Sequence, residues 1–351
     1  MNIKDLLQLT IDKNASDLHL IVGVPPNLRI EGVLYPIANE RPVTPDSMET
    51  LLKGVLSTEQ IDRLSFNKEI DFSIPFSDKA RFRVNAYTQK GSLSAAFRKI
   101  PLEIPTLDSL KLPPILHNFT QLRQGFILVT GPTGHGKSTT LASILNEINS
   151  TRETHIVTIE DPIEFVFRPA KSIISQREMQ SDTHSWQVAL RSVLREDPDV
   201  VLVGEMRDYE TIASALTVAE TGHLVFATLH TNSASQTIDR IVDVFPEEQQ
   251  GQVKLQLSNV LEAVFSMRLI PGVTGSRIPA YEVMLATTAI RTSIREGKTH
   301  QIDSIIQTST EEGMSTLDSS LAGLVRDGKI TTEVALSWSL RPEELNRLIR
   351  R

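Results

Sequence analysis

The chain has 351 residues, 40% of them hydrophobic, and this is enough to bury the cores of two domains. It contains no cysteine, which excludes disulfides and thiolate-ligated zinc, and its eight histidines show no metal-ligand spacing. The net charge of −7 argues against a protein that wraps nucleic acid, and no apolar run is long enough to span a membrane. Because the first residues do not form a secretory signal, we expect a cytoplasmic protein whose membrane role comes through partners.

The first 100 residues mix short strand patterns with one or two helices. Strands are predicted within DLHLIVGVPPNLRIEGVLYPI, where Pro25-Pro26 and Gly32 break the pattern. A helix is predicted to begin after Thr44, whose hydroxyl is suited to cap it. We therefore expect a small N-terminal α+β domain over residues 1–100.

The segment RFRVNAYTQKGSLSAAFRKI predicts a hairpin that turns at Lys90-Gly91. Such a hairpin places Arg83 opposite Arg98 and turns Arg81 toward the same face as Arg83. Like charges directly opposite destabilise a sheet, so this pair is tolerated if it is solvated or if an anion lies between its members. The residues alone favour neither alternative.

Four prolines within residues 101–114 resist both helix and central strand, so this segment is predicted to be a linker. Beyond it, over residues 115–351, the continuous apolar runs FILVT, HIVTI, DVVLV and HLVFATL alternate with helical patterns. Runs that are apolar on both faces are typical of parallel strands covered by helices on both sides. The fold class predicted for this domain is therefore α/β.

The most specific motif is GPTGHGKS, residues 131–138, which fits G-x-x-x-x-G-K-[ST] between a predicted strand and a predicted helix. Its glycines allow several N–H groups to point toward one phosphate, and the helix N-terminus adds positive potential. The motif predicts an ATP site in which Lys137 reaches the β- and γ-phosphates and the Ser138 hydroxyl ligates Mg²⁺. The candidate nucleotide-binding residues are Thr133, Gly134, Gly136, Lys137, Ser138 and Thr139.

Hydrolysis also needs carboxylates that serve the magnesium ion and orient water. The run DVVLVGE ends at Glu205, a position suited to the magnesium shell, and HIVTI leads into EDPIE, where Glu164 is the candidate for polarising the attacking water. The run HLVFATLHT delivers His230 to the same sheet edge, where it is a candidate for sensing the γ-phosphate. Taken singly, each of these side chains is also explained as a solvated loop residue.

Four blocks together resemble the secretion and type IV pilus motor ATPases, and within them the pilus retraction branch: GPTGHGKSTT, TIEDPIEF, DPDVVLVGEMRDYETIASALTVAETGHLVFATLHT and AIRTSIREGKTHQ. The resemblance covers nearly the whole chain. It implies a PAS-like N-terminal domain, a RecA-like P-loop ATPase domain and a homohexameric ring. It also implies work on a pilus through an inner-membrane platform protein, with no nucleic acid partner.

The resemblance assigns roles to the candidate residues. Glu205 falls in the Walker B block, Glu164 in the Asp box, and His223 and His230 in the His box. It also supplies the anion for the paired arginines of the hairpin. Arg83 and Arg98 would act on the γ-phosphate of the same or a neighbouring subunit, in the manner of arginine fingers.

Two departures from the family pattern stand out. His135 occupies a slot where the family usually has serine, and because this slot mainly supplies backbone, nucleotide binding is expected to survive. Thr292 and Ser293 alter the block usually written AIRNLIRE. In the family this helix is linked to retraction, so we expect the change to affect mechanical work more than ATP hydrolysis. In that helix, Arg291 and Arg295 share one face, interpreted either as solvated arginines or as a surface that passes motion to a partner.

Other functions remain open at this point. An accessory retraction paralogue and a secretion or assembly motor share the same motifs. A ring that binds nucleotide without turnover is disfavoured by the presence of Glu164 and Glu205, and a DNA translocase by the acidic charge balance. The absence of cysteine favours the retraction branch, because the extension relatives carry a four-cysteine zinc site.

Overall fold

The computed structural model describes residues 2–76, 80–100 and 103–350. The chain divides into two compact units: Met1–Glu103 with Pro162–Val166, and Ile104–Asp161 with Phe167–Arg351. The domain limits expected from the sequence stay a prediction. Within the predicted linker, Pro101 and Leu102 lie outside the described residues, and a short 3-10 helix forms at Asp108–Leu110.

The first unit contains an antiparallel sheet which, within the described residues, has six strands in the order β3-β2-β1-β6-β5-β4. The strands are β1 (Asp17–Ile21), β2 (Asn27–Ile30), β3 (Val33–Pro36), β4 (Glu69–Phe76), β5 (Ala80–Gln89) and β6 (Ser92–Ile100). The helices are α1 (Ile3–Asp12), α2 (Pro45–Lys53) and α3 (Thr58–Asn67). The predicted breaks at Pro25-Pro26 and Gly32 are confirmed, because they separate β1, β2 and β3.

Local sequence explains where α2 begins and which face of the sheet is buried. Thr44 and Ser47 cap the helix reciprocally, each side chain bonding to the other's backbone N–H, which confirms the predicted start. Along β5 the residues alternate between buried and half-exposed, and Phe82 and Val84 join the core with Phe97. Arg81 and Arg83 consequently lie on the opposite face of the sheet.

The predicted hairpin turn is confirmed: β5 and β6 are joined by Lys90 and Gly91, which have φ values of 49° and 76°. Two successive positive φ angles match the twist of the flanking strands, and Gly91 adopts one of them without steric cost. This turn fixes a register in which Arg83 pairs with Arg98.

The second unit contains a mixed sheet which, among the described residues, has seven strands in the order β13-β12-β7-β11-β10-β8-β9. All neighbours are parallel except β12 and β13, which form an antiparallel hairpin. The strands are β7 (Gly125–Thr130), β8 (His155–Glu160), β9 (Ile173–Glu178), β10 (Val200–Val203), β11 (Leu224–Leu229), β12 (Leu261–Pro271) and β13 (Arg277–Leu285). Every residue of β7, β10 and β11 is buried, so the α/β expectation is confirmed.

Helices pack around this sheet. They are α4 (Ile115–Gln121), α5 (Lys137–Thr151), α6 (Trp186–Val193), α7 (Tyr209–Glu220), α8 (Ala234–Asp243), α9 (Glu247–Val260), α10 (Thr288–Arg295), α11 (Ile302–Thr308), α12 (Leu317–Arg326), α13 (Thr332–Trp338) and α14 (Pro342–Ile349). The apolar stripe of α5 is buried and consists of Leu141, Ile144, Leu145 and Ile148.

The C-terminal helices have a core of their own. Leu317 and Leu321 of α12, Ala335 of α13 and Leu345 of α14 pack together with Ile270 of β12. The last helices thereby pack against the β12–β13 hairpin, whose strand β12 pairs with β7. In the part of the chain that the structure describes, we find no helix with the length and apolar content needed to cross a bilayer.

Candidate nucleotide site

The glycine-rich loop joins β7 to α5, as its motif predicts. Gly131 has a φ of 138°, and a Cβ atom there would lie 2.2 Å from the carbonyl oxygen of Met267, so no other residue fits. Gly136 precedes α5 with a φ of 94°. Lys137 begins the helix, and its Nζ donates to the carbonyl oxygens of Gly131 (2.7 Å) and Pro132 (3.0 Å). The ammonium group is thus held inside the loop whose N–H groups are suited to phosphate.

Two further segments reach this loop from neighbouring parallel strands. Glu205 follows β10, and His230 follows β11. The Nε2 atom of His230 lies 3.2 Å from Oε1 of Glu205, and its Nδ1 atom lies 3.3 Å from the hydroxyl of Thr133. One imidazole therefore links the acid after β10 to the glycine-rich loop.

Arg207, which the sequence reasoning did not single out, completes this group by donating to Oε2 of Glu205 at 2.7 Å. Its position two residues after the acid, in GEMRD, is the only signal that the sequence offered. Burial alone would raise the pKa of Glu205, but the hydrogen bond and charge of Arg207 outweigh it and hold the pKa below its ordinary value. The carboxylate is therefore charged and suited to a cation.

Burial lowers the pKa of His230, and the nearby charge of Lys137 adds to this effect. The imidazole is neutral near pH 7, with one ring nitrogen available as a donor and the other as an acceptor. It can therefore donate to one of Glu205 and Thr133 and accept from the other. A positively charged ring could only donate to both.

The acids of the EDPIE segment lie in different environments. Glu160 ends β8 and is buried, where its Oε1 accepts hydrogen bonds from Thr158 (2.6 Å) and Gln176 (3.1 Å). Glu164 is exposed and belongs, with Pro162–Val166, to the first unit. Of the three acids of EDPIE, Glu160 is buried, whereas Asp161 and Glu164 are exposed.

Arg83 and Arg98 lie opposite each other in the first unit, as the sequence predicted, but each has a carboxylate beside it. Arg98 donates to Asp17 at 2.8 Å, and Arg83 lies 4.0 Å from Asp71. The sequence analysis considered only solvent or an anion as relief for the repulsion between the two arginines, and it omitted neighbouring carboxylates. The carboxylates come from β1 and β4, whose pairing with the hairpin could not be read from the hairpin itself.

Arg291 corrects the expectation of a solvated arginine pair on α10. Its guanidinium donates to the carbonyl oxygens of Ser258 and Asn259, both at 2.9 Å, and to Glu262 at 2.9 Å. It therefore caps the C-terminal end of α9, where carbonyl groups lack partners within the helix. Gly297, with a φ of 68°, follows the end of α10.

Comparison with known proteins shows which family the chain resembles. Residues 2–336 match the family described as "Type II/IV secretion system protein". The chain is 47% identical over 343 residues to the type IV pilus retractation ATPase PilT of Pseudomonas aeruginosa, covering 98% of this chain and 99% of the relative. It is 46% identical over 346 residues to a twitching motility protein of Neisseria gonorrhoeae, covering 98% and 92%. The crystal structure of the pilus retraction motor PilT with bound ADP superposes with a TM-score of 0.93 at 46% identity, covering 99% of both chains.

Proposed function

The chain belongs to the type II/IV secretion system protein family and is an ATPase, and on this basis we propose that it is a motor for type IV pilus retraction and twitching motility. The observation that carries the proposal is its similarity to a pilus retraction ATPase over almost the full length of both chains. The candidate nucleotide site supports it, since Glu205 and His230 lie beside the glycine-rich loop at one edge of the seven-stranded sheet.

We infer that ATP binds with its phosphates on the glycine-rich loop, where Thr133, Gly134, Gly136, Lys137, Ser138 and Thr139 provide N–H groups, hydroxyls and a positive charge. Lys137 would exchange its two carbonyl partners for phosphate oxygens. The donor set also fits Mg²⁺, because the Ser138 hydroxyl and the ionised carboxylate of Glu205 are hard oxygen ligands. When bound, Mg²⁺ would neutralise charge on the β- and γ-phosphates.

For the hydrolytic step, we propose that Glu164 polarises the attacking water and that His230 donates a hydrogen bond to the γ-phosphate. The neutral imidazole is suited to this role, because it is already held between Glu205 and Thr133. Arg83 and Arg98 would supply positive charge to the transferring phosphoryl group, as arginine fingers do. Their own carboxylate partners hold both guanidinium groups on one face of the sheet in the meantime.

We further propose that the chain acts as a homohexamer in the cytoplasm, bound at the inner membrane to a platform protein of the pilus machinery. In such a ring, loss of the γ-phosphate removes contacts that favour one arrangement of the subunits over another. Successive hydrolysis events around the ring would then produce mechanical work on the partner.

The test combines biochemistry and motility. The purified chain is expected to hydrolyse ATP with magnesium present, and the Lys137→Ala variant to lose this activity. Expression in a strain without its own retraction ATPase is expected to restore twitching, whereas Lys137→Ala does not. ATP hydrolysis without any restored twitching would contradict the retraction role while leaving the ATPase assignment intact.

A further inference from the structure

His135 uses its side chain to fasten the glycine-rich loop to β12. Its Nδ1 atom accepts a hydrogen bond from the backbone N–H of Leu269 at 2.9 Å. The parallel pairing of β7 with β12 ends at Thr130 and Ser266, so Leu269 lies beyond the last β7 partner. The imidazole supplies an acceptor where the sheet offers none.

The same ring contacts the end of a C-terminal helix. The ring centroids of His135 and Trp338 are 5.6 Å apart, with an interplanar angle of 57°. Trp338 is the last residue of α13, and its carbonyl oxygen accepts from Arg268 of β12 at 3.0 Å. Arg268 also donates to the carbonyl oxygen of Asn232, two residues after His230, at 3.4 Å. The end of α13 is thus linked to the glycine-rich loop through His135 and to the segment after His230 through Arg268.

We propose that His135 is a positioning residue that holds the glycine-rich loop against Leu269 and Trp338, so that nucleotide affinity depends on how α13 is seated. The inference rests on the proposed function only in that this loop binds nucleotide.

The charges around the ring fit a neutral imidazole. Burial lowers the pKa of His135, and Arg277 of β13, Lys137 of α5 and Arg268 of β12 add to the effect. Because Nδ1 accepts from Leu269, the ring proton lies on Nε2. Protonation of Nδ1 would remove the acceptor and release the loop from β12.

Trp338 offers a direct readout, since the chain has only two tryptophans. Replacing the other one, Trp186→Phe, leaves Trp338 as the single indole, and a protonated imidazole quenches a neighbouring indole more strongly than a neutral one. Without nucleotide, we expect Trp338 emission to fall on acidification, with a midpoint below 6.5. The Asn variant of His135 should abolish this change, because it does not titrate.

Affinity for ADP tests the positioning role. His135→Asn places an amide oxygen near the position of Nδ1, so we expect ADP affinity within about twofold of the parent, as for a retained hydrogen bond. His135→Leu keeps the bulk without the acceptor and should bind ADP about three- to tenfold more weakly, the scale of one lost hydrogen bond. Addition of ADP should also change Trp338 emission in the parent.

Two results would overturn the proposal. One is Trp338 emission that changes with neither pH nor ADP, and the other is equal ADP affinity in His135→Leu and the parent. Loss of ADP binding in every variant including the parent would instead count against the nucleotide site itself. The emission titration needs no nucleotide, so the two failures are distinguishable.

Discussion

His230 and Glu205 lie 3.2 Å apart, although the 24 residues between them in the sequence include α7 and β11. Parallel strands bring them together, because both residues leave the sheet at its carboxyl edge. The third partner, Thr133, reaches the same imidazole from the glycine-rich loop. One imidazole therefore contacts both the carboxylate proposed to bind Mg²⁺ and the loop proposed to hold the phosphates.

We expect His230→Ala to lower kcat for ATP hydrolysis by about 100- to 1,000-fold, the range for removal of one preorganised hydrogen-bond donor. Affinity for ADP should change by less than about threefold, since ADP lacks the γ-phosphate. His230→Gln, which retains a donor, should recover part of the rate. Steady-state kinetics and calorimetric titration with ADP check this, and an unchanged kcat in the Ala variant would exclude the role.

Removal of Arg98 should impair turnover more than nucleotide binding. If this guanidinium acts on the phosphoryl group, Arg98→Ala should lower kcat by at least about tenfold, with ADP affinity nearly unchanged. Arg41→Ala, an exposed arginine of the same unit, is the control and should have no effect.

Loss of Arg98 also leaves the buried carboxylate of Asp17 without its 2.8 Å partner, which by itself destabilises the fold. The double variant with Asp17→Asn removes that charge and should recover melting temperature. If the double variant also recovers kcat, Arg98 acts only through the packing of the sheet.

Glu282 of β13 should make stability depend on pH. Burial raises its pKa from 4.5 to about 7, although it accepts a hydrogen bond from the N–H of Ala234 at 2.7 Å. The folded state therefore prefers the protonated carboxyl, and its stability falls as pH rises from about 4.5 through about 7. Across this whole pH range, the free energy of unfolding falls by roughly 3 kcal/mol.

Glu282→Gln retains an acceptor without the charge. We expect its melting temperature, relative to the parent, to increase between pH 5 and pH 8 and to level off above that range. Glu153→Gln, at an exposed loop position, is the matched control and should show no such trend. A constant difference between the Glu282 variant and the parent across this range would contradict the assignment.

Phe226 in the middle of β11 should contribute strongly to the stability of the second unit. Its side chain is completely buried, so Phe226→Ala should lower the free energy of unfolding by about 3–5 kcal/mol. Phe66 is 88% exposed in α3, and Phe66→Ala should change it by less than about 0.5 kcal/mol. Denaturant unfolding of both variants measures the contrast, and equal effects would contradict it.

The sequence predicted features that depend on neighbours along the chain. The loop before Lys137, the cap at Thr44 and the turn at Lys90-Gly91 each follow from residues within a few positions. Continuous apolar runs also predicted the parallel strands, because burial on both faces leaves a mark in composition.

Features that depend on distant partners were not predictable. Asp17 neutralises Arg98 from 81 positions away, and His135 bonds to Leu269 from 134 positions away. Arg291 looked solvated because its acceptors are backbone carbonyl oxygens, which carry no sequence signal. A side chain's partners are set by how strands and helices are arranged, which periodicity does not report.

The two-residue turn at Lys90-Gly91 has a consequence for how this hairpin tolerates change in length. The turn fixes the register in which the two strands pair. One residue inserted or deleted between Gly91 and Arg98 would therefore place Arg98 on the helix-covered face of the sheet. Phe97 would move to the opposite side in the same event. Natural variants of this segment should therefore differ by substitution and keep a constant spacing between the turn and the arginine.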